Sequence, residues 1–319
     1  MAKTRYAPDR GLTARMTLTM FVLGLVFVAF IAALVLILGA VHQSGGAIIF
    51  FAVALGLVLT VGSFFYSDKI ALSTAGAQIV TPEQAPRLHG VVDRLVALAN
   101  MPKPRVAIAQ SPVPNAFATG RNSKTAVLVV TTGLLNSDLN EQELEGVLAH
   151  ELSHVAHKDV VVMTIASFVG IIAALLVRFA FYSELFGGGG RGRGGNNNNG
   201  NALPVVLIVM LVGIVVYAIS FLLIRLLSRY RELAADRSGA LLTGQPSALA
   251  SALTKVSGSM TRIPTKDLRA AEALNAFYFV PAFAKGKSNQ FSLSTLFSTH
   301  PSLDKRLKQL SEISDQLSK

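Results

Sequence analysis

The sequence predicts a mainly helical α+β protein that crosses a membrane several times, with four transmembrane helices and a cytoplasmic domain containing a small antiparallel sheet. Three observations predict it: four long runs lack charge, the remaining chain reads as short strands and amphipathic helices, and Lys and Arg gather at the ends of the runs. With 51% apolar and 15% charged residues, the composition fits a polytopic membrane protein better than a soluble one.

Residues 1–67 hold the amino-terminal tail and the first two spans. No Lys, Arg, Asp or Glu occurs from Met16 to Ser67, and the polar patch His42 to Gly46 divides this stretch into Met16–Val41 and Ala47–Tyr66. Each is long enough for the ~30 Å of hydrocarbon, which needs roughly 20 residues. The first also exceeds the roughly 7–15 apolar residues of a cleaved signal, so it reads as a retained anchor. Lys3, Arg5, Arg10 and Arg15 before it place the amino terminus in the cytoplasm.

Residues 68–159 read as the first part of a soluble domain. Val91–Ala99 is a short amphipathic helix ended by Pro102 and Pro104. Arg105–Ala109, Asn115–Thr119 and Thr125–Thr132 read as the strands of the antiparallel sheet, separated by turn residues such as Pro112, Gly120 and Asn122. A helix then starts at Asn140, with Glu143 completing a capping box, and runs through Val155.

Residues 160–224 form a transmembrane hairpin, Val160–Val177 and Leu203–Ile224, joined by the flexible Gly/Asn-rich linker Gly187–Gly200. At about 1.5 Å per residue the first of these runs falls slightly short of the bilayer, a deficit that snorkelling of Arg178 makes up. Arg225, Arg229 and Arg231 bring the chain back to the cytoplasm. Residues 225–319 complete the soluble domain, with helices starting at Pro246 and at Thr299–Pro301, the last one amphipathic through Leu303, Leu307, Leu310 and Ile313.

Several functions are set aside by composition. The net charge of +11 comes largely from cations flanking apolar runs, and Arg191 and Arg193 lie in the linker between two spans, so no nucleic-acid partner is expected. The spans carry too few ionisable residues for a transporter. Without cysteine there is no disulfide and no thiolate ligand, and a metal must be held by His and carboxylates.

Chemistry resides in His150-Glu151-Leu152-Ser153-His154, the pattern HExxH. Four residues advance a helix by about 400°, so both imidazoles leave one face at a separation suited to one zinc ion. Glu151 stands beside the first ligand, placed to take a proton from the attacking water rather than to bind metal. The chain has only six histidines, and the apolar setting Gly146 to Ala149 argues against two surface histidines with a solvated glutamate.

A hydrolytic zinc needs a third protein ligand and one open position. The pattern HExxHxxGxxH is excluded, because His157 and Val160 stand where it requires Gly and His. An unbroken helix carries His157 past the metal. Glu232 is the better candidate: Glu232 and Asp236 are one helical turn apart, so one carboxylate can bind zinc while the other accepts the N–H of a ligand histidine. The same spacing fits a surface acid pair among arginines, but the hairpin returns Glu232 to the face of the membrane that carries His154.

On PNAFATG (Pro114–Gly120), VLAHELSHVAHKD, RELAADRSGA (Arg231–Ala240) and FSTHPSLDKRL (Phe297–Leu307), the chain resembles the HtpX family of membrane zinc metalloproteases, more distantly related to the CaaX prenyl endopeptidases. The resemblance spans nearly the whole chain and implies a zincin-like protease domain holding one zinc ion. It makes His150, His154 and Glu232 the ligands, Glu151 the general base, and Asp236 the group that orients a ligand histidine. It further implies that Asn115, Ala116 and Phe117 belong to an edge strand that pairs with extended substrate, although a purely structural strand fits them equally. His300 and Arg306 match the late motif and would approach substrate or transition state, while His300 also fits as a cap of the last helix.

These readings describe a multi-pass cell-membrane endopeptidase with a cytoplasmic active site, acting on unfolded or misassembled membrane polypeptides in protein quality control. The competing reading is a membrane scaffold with a structural zinc, which ordinarily has four protein ligands where only three can be named. The hairpin has its own test. Alkaline phosphatase fused within the Gly187–Gly200 linker is expected to be active and green fluorescent protein there dark; a fluorescent linker places it in the cytoplasm and sinks the hairpin.

Overall fold

The computed structural model describes residues 10–40, 46–187, 202–260 and 300–318. The expectations for Lys3, Arg5, Thr299 and the linker beyond Gly187 lie outside the described residues. In chain order the first elements are α1 (Arg10–Ala40), α2 (Gly46–Phe65), α3 (Ser67–Ala75), β1 (Ala77–Ile79), α4 (Pro86–Ala99), β2 (Arg105–Ala109), β3 (Ala116–Thr119) and β4 (Val127–Thr131). There follow α5 (Thr132–Leu135), α6 (Glu141–Ala156), α7 (Asp159–Gly187), α8 (Ala202–Thr243), α9 (Pro246–Met260) and α10 (Leu303–Leu317).

The chain divides into two compact units, one from residues 17–63 and 163–227, the other from the described parts of 64–162 and 228–319 with the start of α1. In the first unit, Leu18, Phe21, Val28 and Leu36 of α1 and Leu211 of α8 are exposed, an arrangement for hydrocarbon rather than water. Arg10–Ile37, Asp159–Arg178 and Leu207–Thr243 are long and apolar enough to cross a membrane. A fourth span exists if α2 and α3, bent by 69° at Tyr66, count as one, so the expected four spans become three or four. The Asp159–Arg178 segment is 20 residues long, removing the shortfall expected of Val160–Val177. α8 does not stop at Arg225: it is 42 residues long, about 63 Å at 1.5 Å per residue, and carries Glu232 and Asp236 on the same helix as an apolar run.

The second unit is built around a four-stranded sheet of order β1-β2-β4-β3. β1 and β3 pair antiparallel with β2 and β4, but β2 and β4 run parallel, Arg105 opposite Val127 and Ala109 opposite Thr131. The expected antiparallel sheet is therefore mixed. β4 slots between β2 and β3, so these two strands, consecutive in sequence, are not neighbours in space. One sheet face joins α4, α6, α9 and α10 in the main core through Leu95, Val106, Leu128, Leu148, Leu249 and Leu310. The other carries α3 through Ala71, with Ala107, Phe117 and Val129 beneath it.

Two elements differ from the local signals. The helix expected at Val91 starts at Pro86, where a first-turn proline loses no hydrogen bond, and it ends on Asn100 in the left-handed region (φ 50°). The last helix is capped not by His300 but by Ser302, whose side chain accepts the N–H of Lys305.

α6 begins as expected, with a reciprocal capping box: the Asn140 side chain accepts the Glu143 N–H and the Glu143 carboxylate accepts the Asn140 N–H, both at 2.8 Å. Glu143 is also buried against α9, accepting from Ser251 Oγ at 2.5 Å and Lys255 Nζ at 2.9 Å. Glu143→Ala removes half the box and the tie to α9 together. It is expected to destabilise the unit by roughly 1–3 kcal/mol, read as a lower thermal midpoint of the detergent-purified chain with its metal content unchanged.

Candidate metal centre

α6 brings His150 and His154 to one face, and α8 crosses it with Glu232. His150 Nε2 and His154 Nε2 are 3.3 Å apart, His150 Nε2 and Glu232 Oε2 3.7 Å, and His154 Nε2 and Glu232 Oε1 3.6 Å. A tetrahedral ion with bonds of about 2.0–2.1 Å separates its ligand atoms by about 3.3–3.4 Å, so the three donors fit one metal with a fourth position left over. Among the described residues these three form the group able to hold a metal. His157 is outside it. α6 ends at Ala156, His157 caps it, and Lys158 turns in the left-handed region (φ 56°) before α7 starts, so the helix breaks where continuity was expected.

Each imidazole is held from behind by a carboxylate. His150 Nδ1 lies 2.9 Å from Asp236 Oδ1, and His154 Nδ1 contacts Asp159 Oδ2. A proton on each Nδ1 leaves each Nε2 free to bind metal. Asp159, the first residue of α7, also forms an ion pair with Arg231, whose Nη1 donates to the Asp159 carbonyl at 2.6 Å. Sequence reasoning took Asp159 for a domain boundary and Arg231 for a topology charge. The available signal was an acid shortly after HExxH and a cation beside Glu232, both in an otherwise apolar setting.

The expected partners converge as well. Arg306 grips Asp236 with two bonds, Nε to Oδ2 at 2.7 Å and Nη2 to Oδ1 at 2.6 Å, and His300 Nδ1 lies 2.9 Å from Glu232 Oε2. His150, Glu151, Glu232, Asp236, His300 and Arg306 are all buried. Glu151 faces β3, its Oε2 accepting the Ala118 N–H at 3.2 Å. Asn115, Ala116 and Phe117 are buried too, Phe117 under α3, so β3 offers its backbone rather than these side chains.

Close approach of α8 depends on Gly239. A Cβ there would stand 2.9 Å from His150 N and 3.2 Å from its Cα, so any side chain would push α8 off α6.

Burial, the largest influence, lowers the His150 pKa and brings His154 down to about 4; the charge of Asp236 opposes this at His150 and that of Glu232 at His154. Both rings are neutral near pH 7, the form that binds metal. Burial and then the Glu232 charge push the Glu151 carboxyl well above its ordinary range, against the Ala118 N–H. A dication at the three donors would favour its ionised form.

An HExxH helix with a third carboxylate donor from a later helix, in a multi-pass membrane chain, defines a membrane metalloprotease. Residues 82–314 match peptidase family M48, and the chain belongs to that family. It is 55% identical to Protease HtpX homolog 1 of Streptomyces coelicolor, covering 99% of this chain and 97% of that one. Identity to Protease HtpX homolog 2 of Methanosarcina mazei is 48%, over 99% and 100%. The crystal structure of S. mikatae Ste24p shares the fold at a TM-score of 0.55 and 17% identity, over 93% of this chain and 67% of that one.

Asp159→Asn leaves His154 without its anionic partner. Divalent-metal affinity, titrated with cobalt(II) and followed by its visible absorption, is expected to fall roughly 10–100-fold with helical content retained; unchanged affinity would refute the role of Asp159.

Proposed function

We propose that this protein is a zinc endopeptidase that hydrolyses unfolded or misassembled membrane polypeptides at the cytoplasmic face of the cell membrane. The observation that carries the reading is the His150, His154 and Glu232 triangle, with Glu151 on the same helix as the histidines and β3, which among the described residues is an edge strand, within hydrogen-bond reach of Glu151. Zinc bound there supplies Lewis-acid polarisation of the scissile carbonyl and a lowered pKa for the attacking water.

The chain's own residues do the rest. Glu151 takes the proton from water and delivers it to the leaving amine. Asp236 and Asp159 keep the two imidazoles in the tautomer that presents Nε2. His300 and Arg306 hold Glu232 and Asp236 in place. An extended substrate pairs with the edge of β3 opposite β4, which no strand occupies among the described residues; an unfolded chain can supply such a segment and a folded one cannot. Arg10, Arg15, Arg225 and Arg229 at the ends of apolar runs support a cytoplasmic site. HExxH precedes its apolar run instead of lying within it, which argues against cleavage inside the bilayer.

The detergent-purified, zinc-loaded chain is expected to cleave casein, and Glu151→Gln, loaded identically, to lose about 10²–10⁴-fold in rate while keeping its zinc. Equal rates would remove Glu151 from catalysis. No cleavage by the parent, on casein or on a panel of membrane substrates, would favour a scaffold with a structural metal.

A further inference from the structure

The junction of α2 and α3 carries a surface that the protease chemistry does not use. Phe65, Tyr66, Ile70 and Ile79 are 51%, 55%, 52% and 51% exposed. α3 covers the outer face of the sheet with Ala71 and Leu72 and turns Lys69 and Ile70 outward. On β1, Ile79 shares the α3-bearing face with Ala77, two residues earlier. Four large apolar side chains thus lie exposed on the α3 side of the unit.

Cations accompany them. Lys69 Nζ stands 5.4 Å from the centroid of the Tyr66 ring, and the Arg121 guanidinium 4.9 Å from that of Phe65. Arg121, in the β3–β4 turn, also donates from Nη1 to the Phe65 carbonyl at 3.2 Å, meeting a backbone acceptor that the end of α2 leaves open. Lys124 is exposed in the same turn. The neighbouring acid, Asp68, is already paired with Arg105 at 2.6 Å. The patch is therefore apolar and net positive.

Water is a poor partner for this combination, and the chain itself indicates a better one. Phe65 and Tyr66 end an uncharged run that begins at Met16, and the helix bends at Tyr66 where that run meets Asp68. Aromatic rings at the end of a span, cations stacked on them, and a short helix with outward isoleucine are the features of an element lying in a bilayer surface. We propose that α3, the β1 edge and the β3–β4 turn form an interfacial platform: Ile70 and Ile79 reach the acyl boundary, while Lys69, Arg121 and Lys124 bind the headgroups of anionic phospholipids.

The chain contains no tryptophan, so a single introduced one reports its own surroundings. Ile70→Trp and, as control, Leu317→Trp on exposed α10 are compared in the full chain reconstituted into phosphatidylcholine vesicles with and without phosphatidylglycerol. Zinc content and circular dichroism check that each variant is folded. Emission of Ile70→Trp is expected to be blue-shifted, shielded from acrylamide, and quenched at least about twofold more than the control by lipids brominated high on the acyl chain. Adding Lys69→Gln and Arg121→Gln is expected to weaken that quenching in phosphatidylglycerol vesicles toward its value in phosphatidylcholine alone. Acrylamide quenching equal to the control means the patch faces water. Blue-shifted emission that bromolipid leaves untouched means protein covers it. Either result overturns the proposal.

Discussion

Two carboxylates one turn apart on α8 are buried, Asp236 completely, and the surroundings of the centre follow from that. An unpaired buried charge costs several kcal/mol, so each must be met by N–H donors or cations. Asp236 has the fork of Arg306 and the Nδ1 of His150; Glu232 has His300 Nδ1 at 2.9 Å and the Arg306 guanidinium at 4.0 Å. α10 is consequently more than a carboxyl-terminal cover. Its Leu310 and Ile313 enter the core while its Arg306 balances a charge on α8, and loss of either contact would weaken the other. Asp159, Arg231 and His154 repeat the arrangement between the starts of α7 and of the second unit's part of α8.

Features legible in the sequence were those with local causes. The α6 start needs only Asn140 and Glu143; both Nε2 atoms meet because helical pitch puts residues four apart on one face. The apolar runs, the proline at the head of α9 and the strand segments are local in the same sense. Strand neighbours are not. Val127–Thr131 reads as a buried strand whatever lies beside it, and its insertion between β2 and β3 is decided by packing over distance. The length of α8 was not legible for a related reason: Arg225 marks where the apolar run ends, but charge does not stop a helix, and no proline lies between Arg225 and Thr243. Asp159 was missed because its importance lies in Arg231 and His154, neither of which its own neighbourhood reveals.

The order of the acid pair on α8 has a geometric reason. Helices usually pack about 8–10 Å apart, a distance set by side chains at the crossing. Here Gly239, with Ala235 and Ala240 buried beside it, lets α8 come up against the backbone of His150. Near that closest approach there is room for a short side chain, and Asp236 reaches His150 Nδ1 without displacing anything. One turn farther from Gly239, Glu232 has its extra methylene to span the added distance to both Nε2 atoms. Had the longer acid stood at 236, it would have to fold into a site with no exposed surface; had the shorter one stood at 232, its oxygens would fall short of the imidazoles. Glycine at the crossing, aspartate behind His150 and glutamate facing both imidazoles are therefore one solution to the packing of α8 on α6.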